Sequence, residues 1–303
     1  MTRGLGPLPT RPAITPLECG GTTFHWGART YVMGIVNVTD DSFSGDGLLD
    51  PTEAVARGLY LAANGADILD VGGESTRPGA TPLLPSEERR RVLPVIAELR
   101  RHVTIPISVD TYRAEVADAA LEAGAAIVND VWGFRRDPDL AGVVARHCAV
   151  AVAMHNRAAA AVQEETVGGY FRSVEYDDVV AQVCADLTNS IETLTASGVP
   201  HDRIIVDPGI GFGKTPAQNL ELLARLDELL SLERPILVGT SRKSVIGVTL
   251  GLPPDQRIEG TAATVALAIR QGADVVRVHD LPTMARVARM TDAVVRTWMD
   301  ATG

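Results

Sequence analysis

The sequence predicts a single (β/α)8 barrel, the TIM-barrel form of the α/β class, with the ligand site at the C-terminal ends of the strands. Short, continuously apolar segments alternate with longer segments whose apolar residues recur at helical spacing. A junction of helix, glycine, alanine and strand recurs at Gly65, Gly124 and Gly272. Eight such units in about 250 residues match the barrel. A doubly wound sheet is the alternative, but no long break or composition shift divides the chain.

The first strand and helix show the pattern that the rest of the chain repeats. Residues 31–38 are continuously apolar, as a parallel strand covered on both faces requires, and a polar, glycine-rich loop begins at Asn37. Asp50 is the predicted N-cap of the next helix, and Glu53 would complete a capping box. Gly65 ends this helix. Polar residues are therefore expected where each strand gives way to its loop.

The remaining elements follow in the same order. Further strands are predicted at 66–73, 105–111, 149–155, 203–209 and 235–241, with strand-bearing segments at 123–130 and 271–280. Helices are predicted at 50–64, 86–101, 112–123, 138–147, 174–197, 216–230, 257–271 and 282–300. The barrel domain is expected to span 23–303, after a proline-rich, irregular lead-in at 1–22.

Composition excludes several classes of function. The net charge of -10 argues against nucleic acid or an anionic membrane as the main partner. A hydrophobic content of 46% is enough for a sizeable core. No uncharged apolar run approaches the roughly 18 residues of a membrane span. Cys19, Cys148 and Cys184 lack metal-binding or redox spacing, which predicts a cytoplasmic protein with reduced thiols.

Nearly every predicted strand ends in a side chain that can titrate, donate a hydrogen bond or bind a ligand. These side chains are Asn37, Asp70, Asp110, Asn129, His155, Asp207, Arg277 and His279, with Lys243 just beyond its strand. The C-terminal ends of barrel strands meet at one mouth, so they are expected to lie together. Because unpaired polar groups inside apolar segments are costly, Asp110, Asn129 and Asp207 are expected to bind a ligand. For Asp70, a structural role is as compatible with the sequence as a functional one.

Cationic side chains near the last strands predict a site for a phosphate-rich anion. Arg277 and His279 alternate onto the same side of their strand, and both can donate to phosphate oxygens. Ser244 opens a predicted short helix, whose N-terminus favours an anionic group. Arg77, beside a proline in the 73–79 loop, is compatible with anion binding or with a solvated surface charge.

Two motifs admit other interpretations. The segment 209–215 resembles a phosphate-binding loop, but only three residues separate its outer glycine from Gly213-Lys214, so we reject that interpretation. Lys243 could act as a Schiff-base lysine in an aldolase-like barrel. The spacing leaves that alternative open, although the loops around Lys243 are richer in anion-binding groups than carbonyl chemistry needs.

Taken together, these segments resemble the sequence blocks of the dihydropteroate synthase family. The blocks occur in order over roughly residues 30–290. They are Asn37-Val-Thr-Asp-Asp-Ser-Phe43, Gly73-Glu-Ser-Thr-Arg-Pro-Gly79, Ser108-Val-Asp-Thr111, Val128-Asn-Asp130, Asp207-Pro-Gly-Ile-Gly-Phe-Gly-Lys214, Ser241-Arg-Lys-Ser244 and Arg277-Val-His-Asp280. The resemblance implies a folate-pathway transferase that joins 6-hydroxymethyl-7,8-dihydropterin pyrophosphate to p-aminobenzoate, with Mg²⁺ as cofactor. It also implies a homodimer with small-molecule substrates.

The resemblance assigns roles to individual residues. Pterin binding is implied for Asp110, Asn129, Met154, Asp207, Gly211 and Lys243. Pyrophosphate binding is implied for Asn37, Arg77, Arg277 and His279, with Asn37 also the magnesium contact. p-Aminobenzoate binding is implied for Thr76, Pro78, Phe212 and Ser244. The catalytic groups would be Asp110, Lys243, Arg77, Arg277 and His279.

Two other functions share part of this pattern. A pterin-binding methyltransferase that serves a corrinoid would share the carboxylates, but it has no use for the 76–79 loop, the 241–244 block or the pair Arg277 and His279. The other is a catalytically silent homologue kept for binding or regulation, against which stand the intact residues Asn37, Arg77, Lys243 and Arg277. One departure from the family pattern is Ser44-Gly-Asp-Gly47, in which the acidic residue is displaced by one position.

Overall fold

The computed structural model describes residues 8–39, 50–74, 83–157, 162–164, 170–172 and 175–296. Its strands are β1 (Leu17–Cys19), β2 (Thr22–Phe24), β3 (Tyr31–Asn37), β4 (Ile68–Gly72), β5 (Ile107–Asp110), β6 (Ile127–Asp130), β7 (Val150–Met154), β8 (Val162–Glu164), β9 (Tyr170–Arg172), β10 (Ile204–Asp207), β11 (Leu237–Val238) and β12 (Val275–Val278). Its α-helices are α1 (Pro51–Ala63), α2 (Pro85–His102), α3 (Ala114–Glu122), α4 (Leu140–Arg146), α5 (Val179–Ala196), α6 (Pro216–Ala224), α7 (Ser244–Leu250), α8 (Ile258–Arg270) and α9 (Leu281–Val295).

Eight of these strands form the predicted barrel. They are all parallel and lie in the order β10, β7, β6, β5, β4, β3, β12, β11. A parallel bridge between Val206 and Ile236 brings the two ends of the sheet together, and the Val206 amide donates to the carbonyl of Pro235 at 3.0 Å. The (β/α)8 prediction is therefore confirmed, and the eight strand C-termini face the same end of the molecule.

The core has two parts because the strands are covered on both faces. The larger part lies between the sheet and the helices, and includes Val36, Val71 and Val109 of the strands and Leu61 and Leu99 of the helices. The smaller part fills the barrel with inward-facing side chains. It contains Met33, Ile68, Ile127, Val150, Val152, Ile205, Leu237 and Val275. Filling on both faces explains why the barrel strands are continuously apolar in sequence.

The β1–β2 hairpin closes the N-terminal end of the barrel. Leu17 and Phe24 are buried against the inner cluster, and the Phe24 ring lies 4.7 Å from the ring of Tyr31, where β3 begins. Burial of a side chain such as Phe24 contributes roughly 1.5–3 kcal/mol to the stability of the fold. Strand β1 thus lies within the segment that the sequence predicted to be irregular. With this end covered, the mouth at the strand C-termini is left to bind a ligand.

Several helix boundaries differ from those predicted. Asp50 caps α1 as expected, and its carboxylate accepts from the amide of Thr52 at 2.8 Å. The single helix predicted at 216–230 is α6 followed by a 3-10 helix, Leu226–Leu232. Leu226, Leu229 and Leu232 are three residues apart, which suits the three-residue turn of a 3-10 helix. Among the described residues, no helix combines the length and apolar character that crossing a membrane requires.

Candidate active site

Arg277 stands at the centre of a polar cluster at the C-terminal mouth. Its Nε donates to Oδ2 of Asp70 at 2.6 Å, and its Nη2 donates to Oδ2 of Asp110 at 2.7 Å. Asn129 Nδ2 also donates to Oδ2 of Asp70, at 3.2 Å. Strands β12, β3, β4, β5 and β6 are consecutive neighbours, so inward-facing residues near their ends converge. The barrel therefore brings together Asp110, Asn129 and Arg277, as the sequence predicted.

Asp70 is an organising residue of this cluster. It is fully buried, it joins the side chains of Arg277 and Asn129, and its Oδ1 has no hydrogen-bond partner among the described residues. Ser108 is its cross-strand neighbour on β5, and the buried Ser108 hydroxyl likewise has no partner in the part of the chain that the structure describes. The sequence left the role of Asp70 open. The structure shows that it orients two of the predicted site residues.

Burial and charge set the ionisation of the cluster. Burial and, to a smaller extent, the nearby Asp70 carboxylate raise the pKa of Asp110 to about 7, against the opposing effect of Arg277. Burial disfavours the charged form of Arg277, but the carboxylates of Asp70 and Asp110 outweigh it and raise the pKa of the guanidinium. Arg277 is thus a permanent cation, whereas Asp110 changes its charge near neutral pH.

A second cluster lies at the end of β10. Asp207 is buried, and its Oδ1 accepts from the amide of Gly209 at 2.7 Å. Burial raises the pKa of Asp207, and the charge of Lys243 is the largest opposing effect. Lys243 Nζ donates to the carbonyl of Ile210 and lies 4.7 Å from the centre of the Phe212 ring. Burial lowers the pKa of Lys243 to about 8.

The loop that follows Asp207 is shaped by glycine. Gly209 has φ +68°, and a Cβ built on it would lie 1.8 Å from the carbonyl oxygen of His155, so this approach requires glycine. Gly211 also has positive φ, and a Cβ built on it would lie 3.1 Å from Cδ of Lys243. Lys214 ends the loop, is buried, and donates to the carbonyls of Gly209 and Phe212. These contacts agree with the rejection of a phosphate-binding loop.

His279 and the 241–244 segment form the far side of the mouth. The Nδ1 of His279 lies 2.9 Å from the Ser241 hydroxyl, so its ring contacts a different partner from the carboxylates that hold Arg277. Arg242 donates to both carboxylate oxygens of Asp280, at 2.9 and 2.5 Å, which fixes the segment against the end of β12. Helix α7 begins at Ser244, as predicted, with Lys243 at its N-cap.

The remaining predicted residues occupy varied positions. Asn37 is half-buried at the end of β3, and Met154 is buried at the end of β7 opposite Asp207 in register. Thr76, Arg77 and Pro78 lie outside the described residues, as does the 44–47 departure from the family pattern. Within the described ranges, no three His, Cys, Asp or Glu side chains are grouped so as to hold a metal ion.

Sequence reasoning missed the network behind the second cluster. His155 Nδ1 lies 2.9 Å from Lys214 Nζ, and its Nε2 lies 3.1 Å from Oδ2 of Asp186 on α5. His155 was identified only as a strand-end residue, and Lys214 only as part of a rejected motif and as the end of one family sequence block. Asp186 lies in the middle of a helix, where no local signal marks it. A usable signal was that the chain has only two lysines, Lys214 and Lys243, both near this loop.

The chain is similar to known proteins in both sequence and fold. The family model described as pterin binding enzyme matches residues 33–279. The dihydropteroate synthase of Clostridium beijerinckii is 45% identical over 92% of this chain and 100% of its own length. Xanthomonas albilineans dihydropteroate synthase with 4-aminobenzoic acid superposes with a TM-score of 0.83, at 43% identity, over 94% of this chain and 98% of that one. The same enzyme in complex with 7,8-dihydropteroate superposes with a TM-score of 0.79, at 39% identity, over 92% and 98%.

Proposed function

Because the chain belongs to the family of pterin-binding enzymes and, within it, to the dihydropteroate synthases, we propose that its barrel mouth condenses 6-hydroxymethyl-7,8-dihydropterin pyrophosphate with p-aminobenzoate. The products are 7,8-dihydropteroate and pyrophosphate, and the reaction is a group transfer. The observation that carries the proposal is the convergence of Asp110, Asn129 and Asp207, together with two cations, at one mouth.

Asp207 is the carboxylate that we assign to the pterin ring. A pterin presents an N–H and an exocyclic amine side by side, and an ionised carboxylate can accept from both at once. Asp207 is buried and already fixed by the Gly209 amide, so little further ordering is needed on binding. Asn129 and Asp110 would complete the polar contacts, and Met154, Gly211 and Lys243 would border the ring.

The leaving pyrophosphate is assigned to Arg77, Arg277, His279 and Asn37. Arg277 keeps its charge at all accessible pH values, so it can stabilise charge that develops on the leaving group. Mg²⁺ supplies charge neutralisation to the pyrophosphate when it is bound. The donor set fits this ion, because Mg²⁺ usually takes one or two protein oxygens beside phosphate and water, and the amide oxygen of Asn37 is such a donor.

The p-aminobenzoate slot is assigned to Phe212 and Ser244, with Thr76 and Pro78 from the 73–79 loop. Phe212 lies beside Lys243, and Ser244 begins α7. In the reaction the C–O bond to pyrophosphate breaks, and the aromatic amine forms the new C–N bond at the pterin methylene before it loses a proton. No strong base is required, so the chain acts by positioning and electrostatic stabilisation.

One test of turnover and one of substrate binding bear on this assignment. Pyrophosphate release should require both substrates, whereas a silent homologue would release none. In Asp207→Ala, pterin binding itself should be lost, because removal of a charge-assisted pair costs roughly 1.5–3 kcal/mol or more. Asp202→Ala, an exposed carboxylate just before β10, is the matched control and should bind normally. Unchanged pterin affinity in folded Asp207→Ala, measured by calorimetry, would contradict the assignment.

The magnesium contact can be tested without turnover. Calorimetric binding of pyrophosphate should be tighter with Mg²⁺ than without it, and Asn37→Ala should reduce that difference. An equal benefit of Mg²⁺ in both proteins would remove Asn37 from the metal site.

We also propose that the protein is a cytoplasmic homodimer. Helices α6, α7 and α8 pack against one another and expose Leu220, Val248, Leu250 and Leu267, each 45–49% accessible. A second copy of the chain would cover such side chains. Leu267→Glu should therefore yield monomers in sedimentation, whereas Tyr60→Glu on α1, equally exposed, should not. Cys19, Cys148 and Cys184 all remain free thiols, which suits a reducing compartment.

A further inference from the structure

Lys214 is a buried cation whose Nζ has three hydrogen-bond partners, one for each hydrogen atom of an ammonium group. Its Nζ lies 2.9 Å from the Gly209 carbonyl, 3.1 Å from the Phe212 carbonyl and 2.9 Å from His155 Nδ1. The side chain is 1% exposed. Two of the partners are carbonyl oxygens, which only accept, and they take two of the amine hydrogens.

In the third contact, between Lys214 and His155, Asp186 determines which nitrogen donates the hydrogen bond. His155 Nε2 lies 3.1 Å from Oδ2 of Asp186, and burial lowers the pKa of His155 to about 4, so the ring is neutral near pH 7. A neutral imidazole has one N–H, and the Asp186 carboxylate can only accept it. His155 Nδ1 is therefore an acceptor, and Lys214 must donate to it. Only an ammonium supplies three donors, so with a neutral His155 this geometry requires a charged Lys214. An amine is also more basic than an imidazole, which places the proton between these two side chains on Lys214.

Gly209 connects this ammonium to Asp207. The amide of Gly209 donates to Asp207 Oδ1 at 2.7 Å, while its carbonyl accepts from Lys214. The same ammonium holds the carbonyl of Phe212, whose ring borders Lys243 on the other side of the loop. One buried charge thus fixes both the pterin carboxylate and the ring assigned to p-aminobenzoate.

We propose that Lys214, oriented by His155 and Asp186, is a positioning residue that holds the 209–213 loop in place and keeps Asp207 ionised for the pterin. This inference rests on the proposed function, because it uses the assignment of Asp207 to the pterin. Lys214 does not contact the reacting atoms. It acts through the peptide of Gly209 and through its charge.

The charges around Asp207 give the inference a measurable consequence. Asp207 faces Lys243, Lys214 and Arg277, each of which lowers its pKa against the effect of burial. Lys214 in turn faces Asp207 and Asp186, which favour its charge, and Lys243 and Arg157, which oppose it. Burial lowers the pKa of Lys214 well below its ordinary value, yet the hydrogen-bond geometry retains the ammonium. Loss of this charge should raise the pKa of Asp207.

The principal experiment compares pterin binding across pH. The affinity for 6-hydroxymethylpterin is measured by calorimetry from pH 5 to 9 in the wild type, Lys214→Met and Asp207→Asn. In Lys214→Met the acid midpoint of binding should move up by about one pH unit, as expected for loss of a nearby opposite charge. A purely structural role would lower affinity equally at every pH. An unmoved midpoint would overturn the inference.

Asp207→Asn separates this inference from the proposed function. The variant has no carboxylate at position 207, so it should bind pterin weakly and without the acid midpoint that the titration of Asp207 gives. If it bound pterin as tightly as the wild type, the assignment of Asp207 itself would fail. If it behaved as expected while Lys214→Met kept the wild-type midpoint, only the role of Lys214 would be overturned.

A second measurement uses the wild type and does not depend on the folding of Lys214→Met. The two lysines give two side-chain signals in protein labelled with ¹³C at the lysine Cε, and Lys243→Met assigns them. The Lys214 signal should be that of an ammonium at pH 7, and Asp186→Asn should shift its titration to lower pH. A neutral Lys214 at pH 7 would overturn the inference, since no charge would then face Asp207.

Discussion

Replacement of Arg277 by methionine should reveal how tightly the two carboxylates depend on it. Methionine keeps most of the side-chain length but removes the donors that contact Asp70 at 2.6 Å and Asp110 at 2.7 Å. Asp70 is fully buried and, of its partners within the described ranges, would keep Asn129 alone. Removal of one partner from a buried ion pair costs about 3–5 kcal/mol. We expect Arg277→Met to lower the free energy of unfolding by that amount at pH 8.5.

The loss should also depend on pH, and its sign follows from Asp110. The pKa of Asp110 is about 7 in the folded protein, above its ordinary value of 3.8, so folding is favoured at low pH and this contribution is lost as the pH rises towards 7. Arg277 opposes this rise, so its removal extends the loss to higher pH. For each unit by which Arg277→Met raises the pKa of Asp110, the loss in free energy of unfolding should be about 1 kcal/mol larger at pH 8.5 than at pH 6.

The assay is equilibrium unfolding in urea at both pH values. Arg286→Met, an exposed arginine on α9, is the control and should change stability by less than about 0.5 kcal/mol. The double variant Arg277→Met with Asp70→Asn should be at least about 1 kcal/mol more stable than the sum of the two single losses predicts, because it leaves no unpaired buried charge at Asp70. A loss below about 1 kcal/mol at pH 8.5, or strict additivity in the double variant, would refute the reasoning.

Three further outcomes are expected. His279→Ala should weaken binding of the pyrophosphate-bearing substrate far more than that of the pterin alcohol, and equal losses by calorimetry would make its role structural. Lys243 loses its charge as the pH rises through about 8, so affinity for the same substrate should fall above pH 8, and Lys243→Met should abolish that pH dependence. Gly209→Ala should lower the melting temperature sharply, since its Cβ would meet the carbonyl of His155; Gly251→Ala, at nearly the same φ but with open space, should cost only about 1–2 kcal/mol.

The barrel could be predicted because its physical causes leave local traces in the sequence. Strands buried on both faces must be continuously apolar, and the glycine that ends a helix precedes the next strand at Gly65, Gly124 and Gly272. All three have positive φ, as a helix C-terminus often requires. The β1–β2 hairpin escaped prediction because each strand has three residues, too few to establish an alternation.

The site could be predicted only as far as position along each strand decides it. Asp110, Asn129, Asp207 and Arg277 stand at strand ends, so closure of the barrel alone brings them to one mouth. Their partners are another matter. The guanidinium of Arg277 is shared between Asp70 and Asp110, which lie on strands more than 160 residues away in the chain. Sequence reasoning assigned Arg277 to the leaving group alone, whereas the structure ties it to a carboxylate assigned to the pterin.

The narrow join between β10 and β11 has a consequence for the motion of the site. Strand β11 contributes two residues to the sheet, and its join to β10 rests on the bridge between Val206 and Ile236. Short ladders open at low free energy, so amide hydrogens of β11 should exchange with solvent faster than those of the longer β3. Above this join, Lys243 reaches across to the carbonyl of Ile210. A pterin bound between Asp207 and Lys243 would link the two sides of this join and stabilise the pairing of β10 with β11. The β11 amides should therefore exchange more slowly when pterin is bound.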